Sequence, residues 1–231
     1  MMSDGMNLKS RLFRRALIGL LSAPAVLFIS AGSLKFWQAW AFLALQLTLG
    51  VGSGIYFYKL DPKLLERRLL TREKVGEQKI IMILVRALLV VSLCLSGLDF
   101  RFGWSRAFLG PVPLWLAVLS LAVVLGCWLL IIWVISVNRF AASVIQVEAG
   151  QAVVSTGPYR IVRHPLYSVA IVTFLFIPLA LGSYFALPSF AVLIPLLILR
   201  LLNEEKVLGR ELPGYSQYCL RTRFRLIPFI W

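Results

Sequence analysis

The chain has 231 residues, 60% of them hydrophobic, and it carries a formal net charge of +14. Soluble domains are about 45–50% apolar, and here the excess falls in long uncharged runs that a soluble core does not need. The basic residues cluster beside these runs, which suits anionic lipid headgroups and topology signals and argues against nucleic acid as a partner.

The apolar runs indicate helices. Backbone groups inside a bilayer cannot bond to water, so a spanning segment must be a helix or part of a closed barrel. A barrel shows stretches of about ten residues with alternating polarity, and the sequence has none. We therefore expect an all-α, polytopic membrane protein.

A spanning helix needs about 20 apolar residues, and six candidate spans follow one another along the chain. Trp37 and Trp40 open the second one, as interfacial residues do. Prolines shorten the last two, which we expect to form a hairpin turning at Gly182 and Ser183. The six spans are predicted at residues 13–33, 37–58, 80–98, 112–137, 166–183 and 187–202.

The loop at residues 59–79 carries a second kind of signal. Asp61 precedes Pro62, a pattern typical of a helix N-cap followed by proline at the first helical position. Leu64, Leu65, Leu69 and Leu70 then lie among Arg67, Arg68 and Arg72. An interfacial amphipathic helix fits this pattern, and a plain solvated run of charges remains the alternative.

Basic residues predict the orientation, because they accumulate on the cytoplasmic side. With the N-terminus inside, that side collects four from residues 9–15, seven from 59–79, three between 139 and 163, and six from 200 onward. The other side receives Lys35, Arg101 and Arg106. We expect both termini in the cytoplasm, and the inner membrane of a bacterium as the location.

Two parts of the chain are predicted. Residues 1–137 form an N-terminal part with about four spans, and residues 138–231 hold two short spans, a cytoplasmic cofactor pocket and a cytoplasmic tail. The cysteines Cys94, Cys127 and Cys219 form no CxxC or Cys/His cluster. No disulfide framework or metal site is therefore indicated.

Polar residues with chemical potential concentrate in two segments of the C-terminal part. Residues 155–167 include two tyrosines, two arginines and His164, the chain's single histidine, at the start of a predicted span. Residues 200–205 end the last predicted span, and Arg200 and Glu204 share a helix face there. A charge pair beside an apolar helix suggests a functional site, although plain membrane anchors would also explain these residues.

The two segments together resemble a known family. Gly157-Pro158-Tyr159, then His164-Pro165 and Tyr167, and 40 residues later Glu204-Glu205, are similar to the isoprenylcysteine carboxyl methyltransferases. That wider group includes phospholipid N-methyltransferases. The tail extends the resemblance, which covers about residues 138–231, with Leu208, Tyr215, Tyr218, Arg223 and Pro228.

The resemblance implies a membrane methyltransferase that uses S-adenosylmethionine. The methyl acceptor would be amphiphilic, either lipid-like or isoprenylcysteine-like. The sequence leaves the oligomeric state open. Arg200 corresponds to an arginine near the acceptor, and His164 is a second catalytic candidate. The implied cofactor-binding residues are Gln146, Gln151, Ala152, Val153, Val154, Tyr159, His164, Pro165, Leu166, Tyr167 and Glu204.

The role of His164 depends on the acceptor. A carboxylate is already ionised at neutral pH and needs no base, so His164 would then only bind. A thiol or an amine must lose a proton, and His164 would then be the candidate base. Two other functions remain open: a membrane sterol-type reductase using NADPH, whose C-terminus the tail also resembles, and a membrane protein that binds a ligand without catalysis.

Overall fold

The computed structural model describes residues 8–68, 76–140, 147 and 150–231. Within them the fold is entirely helical and no strand is present, as the composition predicts. The helices are α1 (Leu8–Ala31), α2 (Trp37–Leu60), α3 (Pro62–Arg68), α4 (Gly76–Phe102), α5 (Trp104–Phe108), α6 (Leu114–Val137), α7 (Pro165–Ala180), α8 (Leu187–Ala191), α9 (Leu193–Glu211) and α10 (Tyr215–Arg221).

Five of the apolar segments are long enough to cross a membrane, so the chain is a multi-pass membrane protein. They are Ser10–Ala31, Trp37–Leu60, Gly76–Phe102, Leu114–Val137 and Leu187–Glu211. The fifth predicted span, at residues 166–183, corresponds to α7, which is apolar but only 16 residues long. Large apolar side chains such as Leu21, Ile55 and Leu129 are about half exposed on the outside of the bundle, as lipid-facing residues would be.

The last predicted span is wrong in its boundaries. A short helix, α8, comes first, and α9 then continues to Glu211 instead of ending at residue 202. The break lies at Val192, because Pro195 has no N–H to donate to the carbonyl of Ala191. Glu204 and Arg200 therefore lie within α9 and not at its end. The preceding turn matches the prediction, with Gly182 at φ +73°.

The loop after α2 contains the short helix α3, which buries two of the loop's leucines. The Asp61 carboxylate accepts the backbone N–H of Leu64 at 3.1 Å, which confirms the predicted N-cap. Leu64 and Leu65 are buried against Phe57 of α2 and Ile135 of α6. This part of the loop is therefore a packed amphipathic helix, while Leu69, Leu70 and Arg72 lie outside the described residues.

The main core lies between the long helices. Phe36, Phe42, Val124, Phe190 and Leu193 are among its buried members, and they come from both the N-terminal and the C-terminal parts of the chain. Helices α6 and α7 pack together across the predicted division at residue 137. The division into two parts stays a prediction.

A buried carboxylate ties the end of α4 to the turn after α7. Asp99 accepts the backbone N–H of Ser105 at 2.7 Å and the hydroxyls of Ser105 and Ser183. The Ser105 hydroxyl oxygen also accepts the backbone N–H groups of Tyr184 and Phe185. A buried charge needs such donors, and this network fixes the end of the bundle opposite to the residues 155–167.

Helices α1 and α4 cross closely at Gly97. A Cβ at this position would overlap the Ser30 hydroxyl and lie 2.7 Å from the carbonyl oxygen of Leu27. Small residues allow this approach of two backbones in membrane proteins. Gly126 of α6, by contrast, has no neighbouring atom within 4 Å of its would-be Cβ.

The crossing yields a stability prediction. Gly97→Ala should lower the free energy of unfolding in detergent by about 1–3 kcal/mol, the usual cost of overpacking. Gly126→Ala is the matched control and should be neutral or slightly stabilising, because alanine is the better helix former. Thermal and SDS-induced unfolding measure both. Equal stabilities for the two variants would contradict the close crossing.

Candidate functional site

The first wall of the site is the segment 150–167. A 3-10 turn, Gly157–Arg160, begins at Gly157 with φ +56°, where a Cβ would press on Val137 at 3.3 Å. The turn buries Tyr159, whose hydroxyl accepts a hydrogen bond from Asn138 at 3.1 Å. The backbone carbonyl of Tyr159 accepts the hydroxyl of Tyr218 at 2.7 Å. Tyr159 is thus held from α6 and α10.

His164 and Tyr167 follow at the start of α7. His164 is the N-cap residue, and Pro165 takes the first helical position, where its missing N–H has no cost. Tyr167 lies in the first turn and donates its hydroxyl to Oε2 of Glu204 at 2.6 Å. This hydrogen bond joins the two polar segments that are 37 residues apart in the sequence.

Helix α9 provides the opposite wall with Arg200 and Glu204. Arg200 is only 7% exposed, and its Nη1 donates to Oε1 of Gln78 in α4 at 3.2 Å. Arg200 also interacts electrostatically with Tyr167. Because Arg200 and Glu204 are one helical turn apart, both side chains reach the same space between α4, α7 and α9.

Glu205 points to a different set of partners. Its Oε1 lies 3.2 Å from Nε of Arg163 and 3.2 Å from Nε2 of His164, and its Oε2 accepts Nε of Arg225 at 2.8 Å. The backbone N–H groups of Arg163 and His164 donate to the carbonyls of Phe224 and Arg225. The C-terminal tail is thereby fastened to the start of α7 and to α9.

These walls enclose a cavity of about 420 Å³. Eleven of the twelve sequence-predicted site residues line it, and the twelfth, Gln146, lies outside the described residues. The eleven are Gln151, Ala152, Val153, Val154, Tyr159, His164, Pro165, Leu166, Tyr167, Arg200 and Glu204. The geometry brings them together, and their roles stay predictions.

The tyrosines of the cavity are neutral donors at physiological pH. Burial raises the pKa of Tyr159 to about 12, against the opposing effects of the Asn138 hydrogen bond and the charge of Arg68. Burial also raises the pKa of Tyr215 and of Tyr218 above the ordinary tyrosine value. The Tyr215 hydroxyl is buried and has no hydrogen-bond partner among the described residues.

Sequence reasoning missed several lining residues. Arg68, Met82 and Val85 come from the N-terminal part, which carries no recognisable motif. Gln78, Met82 and Val85 are spaced as neighbours on one face of α4. A polar residue such as Gln78 near the start of an apolar helix is a sequence signal that indicates a possible site. Tyr215 and Tyr218 belong to the tail motif, but the motif alone does not indicate that they line a cavity.

The cavity fits the cofactor that the resemblance implies. Its volume lies in the range of about 300–1,000 Å³ typical of small-molecule sites. It offers a carboxylate, aromatic faces and arginines to a ligand that carries a sulfonium, an ammonium, a carboxylate and a ribose. The unpartnered hydroxyl of Tyr215 would gain a hydrogen bond from such a ligand. Among the described residues, no three His, Cys, Asp or Glu side chains are grouped to hold a metal ion.

A family of known proteins matches part of the chain. Residues 112–212 match the model of the phospholipid methyltransferase family, from the start of α6 to the end of α9. No curated protein matches the chain. The matched region includes His164, Arg200 and Glu204, whereas Arg68 and Gln78 precede it. This part of the chain is therefore similar to the phospholipid methyltransferase family of S-adenosylmethionine-dependent membrane enzymes, which is related to the isoprenylcysteine carboxyl methyltransferase-like enzymes.

Proposed function

We propose that the cavity binds S-adenosylmethionine beside the polar head of an amphiphilic acceptor and that the protein methylates this head. One observation carries the proposal. The Tyr167–Glu204 hydrogen bond joins both motifs of the sequence at a single cavity at one end of a membrane bundle. S-adenosylmethionine, when bound, supplies a methyl group activated by a positively charged sulfur.

On the cofactor side, Glu204 would accept hydrogen bonds from the ammonium or the ribose. The faces of Tyr159 and Tyr167 would stabilise the positive sulfur. His164 would contribute to binding whatever the acceptor is, with its Nε2 3.2 Å from Oε1 of Glu205. The remaining wall consists of Gln151, Ala152, Val153, Val154, Pro165 and Leu166, with Gln146 proposed to contribute from outside the described residues.

On the acceptor side, Arg200 would hold the head of the acceptor. Its guanidinium is nearly buried and is oriented by Gln78, which is itself only 1% exposed. The Gln78 amide is neutral, and a guanidinium is well shaped to grip a carboxylate or phosphate. Methyl transfer is a displacement whose rate depends on the alignment of the acceptor with the methyl group. Arg200 and Gln78 would therefore set the rate.

A phospholipid amine is the acceptor that the family name favours, and its phosphate would meet Arg200. An amine must lose a proton to react, and His164 is then the nearest candidate base in the cavity wall. A thiol would also need this step. A carboxylate would not, and the two classes therefore differ in their need for His164.

A lipid-like acceptor is supported by the surface beside the cavity. A groove of about 440 Å³ between α4 and the α8–α9 segment is lined by apolar residues alone: Leu84, Ala87, Leu88, Val91, Val192, Pro195 and Leu196. The same helices line the cavity with Val85 and Leu197. An acyl or prenyl chain would lie in the groove while its head reaches Arg200.

We also propose that the cavity opens on the cytoplasmic side, where S-adenosylmethionine is made. The charge asymmetry supports this orientation, because Lys59, Arg67 and the basic residues after Arg200 belong to the cavity end of the bundle. Lys35, Arg101 and Arg106 belong to the other end.

The cofactor assignment predicts a loss of binding in Glu204→Gln. Detergent-purified protein should bind S-adenosylhomocysteine, and the variant should bind it about 10–100-fold more weakly, the scale of one lost charged hydrogen bond. Glu211→Gln, an exposed position at the end of the same helix, is the control and should bind normally. Calorimetry measures both. Binding of NADPH instead of S-adenosylhomocysteine would make the protein a reductase and contradict the proposal.

The acceptor assignment predicts that Arg200→Lys and Gln78→Leu both slow methyl transfer. Lysine keeps the charge but loses the planar fork, and leucine removes the group that orients it. Transfer of tritiated methyl groups should fall at least tenfold, whether the probe is phosphatidylethanolamine vesicles or N-acetyl-S-farnesylcysteine. Affinity for S-adenosylhomocysteine should stay within a few-fold of wild type. If cofactor binding were lost instead, Arg200 would belong to the cofactor site.

A further inference from the structure

Two arginines, two tyrosines and Glu204 in the wall of the cavity interact electrostatically with one another. Tyr159 interacts electrostatically with both Arg68 and Glu204. Tyr167 interacts with both Glu204 and Arg200. Arg68, Arg200, Glu204 and the two tyrosines all line the same cavity.

The two arginines belong to different surroundings. Arg200 lies among apolar residues of α4 and α9 and is bonded to Gln78. Arg68 ends α3 and reaches the cavity next to the 3-10 turn that carries Tyr159. The two arginines of the cavity therefore have different neighbours.

The position of Arg68 is fixed by the helix that carries it. The Asp61 cap sets the start of α3, and Leu64 and Leu65 anchor it against α2 and α6. The neighbouring Arg67 has other contacts, since it donates to the backbone carbonyl of Arg139 at 2.9 Å and stacks over Phe140. Arg163, the third arginine of the cavity wall, lies 3.2 Å from Glu205.

We propose that Arg68 binds the carboxylate of the amino-acid end of S-adenosylmethionine while Glu204 receives its ammonium, an assignment that rests on the proposed function. An amino acid carries both groups on one carbon atom, so its site needs a cation and an anion close together. Arg68 and Glu204 provide such a pair, because both line the cavity and both interact with Tyr159. A guanidinium can hold a carboxylate with two parallel hydrogen bonds.

The consequence is that the cofactor site is completed from outside the family region. Residues 112–212 contain Glu204, Tyr159 and Tyr167, but Arg68 precedes this range by more than forty residues. Helix α3 would then link the N-terminal part of the chain to cofactor binding, and Arg200 would remain available to the acceptor.

The test removes the proposed partners one at a time, on the protein and on the ligand. S-adenosyl-3-thiopropylamine is S-adenosylhomocysteine without its carboxylate, and calorimetry measures the affinity of both. Wild type should bind the decarboxylated ligand about 10–100-fold more weakly. Arg68→Gln should bind S-adenosylhomocysteine that much more weakly too, but should bind the decarboxylated ligand as wild type does. Arg67→Gln is the control and should behave as wild type.

Any other result would overturn the assignment of Arg68 to the carboxylate of the cofactor. If Arg68→Gln weakened both ligands equally, Arg68 would support the fold of the cavity and would not touch the carboxylate. If it weakened neither, the carboxylate would bind elsewhere while the proposed function stood. If wild-type protein bound no S-adenosylhomocysteine, the proposed function itself would fail, and this assignment with it.

Discussion

The carboxylate of Glu205 is the contact on which the shape of the cavity depends. It meets Arg163, His164 and Arg225, which come from the segment before α7 and from the tail. A charge in a largely buried place is costly unless it is paired and hydrogen-bonded, so the three partners and the helix stabilise one another. Through them, the last residues of the chain are held against the start of α7.

The two neighbouring acids of α9, Glu204 and Glu205, face different parts of the structure. Successive residues of a helix point about 100° apart, so Glu204 faces the cavity while Glu205 faces the tail. The tail then positions α10, whose Tyr218 supports the carbonyl of Tyr159 and whose Tyr215 offers its hydroxyl to the cavity. Two adjacent identical side chains thus have different partners: Glu205 holds the tail, and Glu204 lines the cavity to which we assign cofactor binding.

Much of this architecture can be predicted from the sequence, because membranes restrict the possibilities. The apolar runs give the helices, and the prolines and Gly182 give the turn before α8. Asp61 before Pro62 gives the start of α3. The boundary of α9 could not be predicted, because polar residues such as Glu204 continue a helix beyond the apolar layer and hydropathy does not detect this. Tertiary contacts such as Arg200 with Gln78 depend on packing between distant helices, for which local patterns carry no signal.

The resemblance contributed what physical patterns could not. Residue types alone left His164 and Glu204 equally explicable as membrane anchors, and the match of residues 112–212 to the phospholipid methyltransferases supports the enzymatic interpretation. Arg68 shows the converse limit. It lies outside the motif region, and only the folded chain brings it beside Tyr159.

The role of Glu205 in shaping the cavity is tested most directly with the Glu205→Gln variant. Two quantities are measured: its affinity for S-adenosylhomocysteine and the rate of tryptic cleavage at Arg221 and Arg223. The account predicts that the variant releases the tail, so that cleavage accelerates and affinity falls at least tenfold, while Glu211→Gln changes neither. Rapid cleavage of the tail with unchanged affinity would contradict it, because the cavity would then keep its shape without the contact.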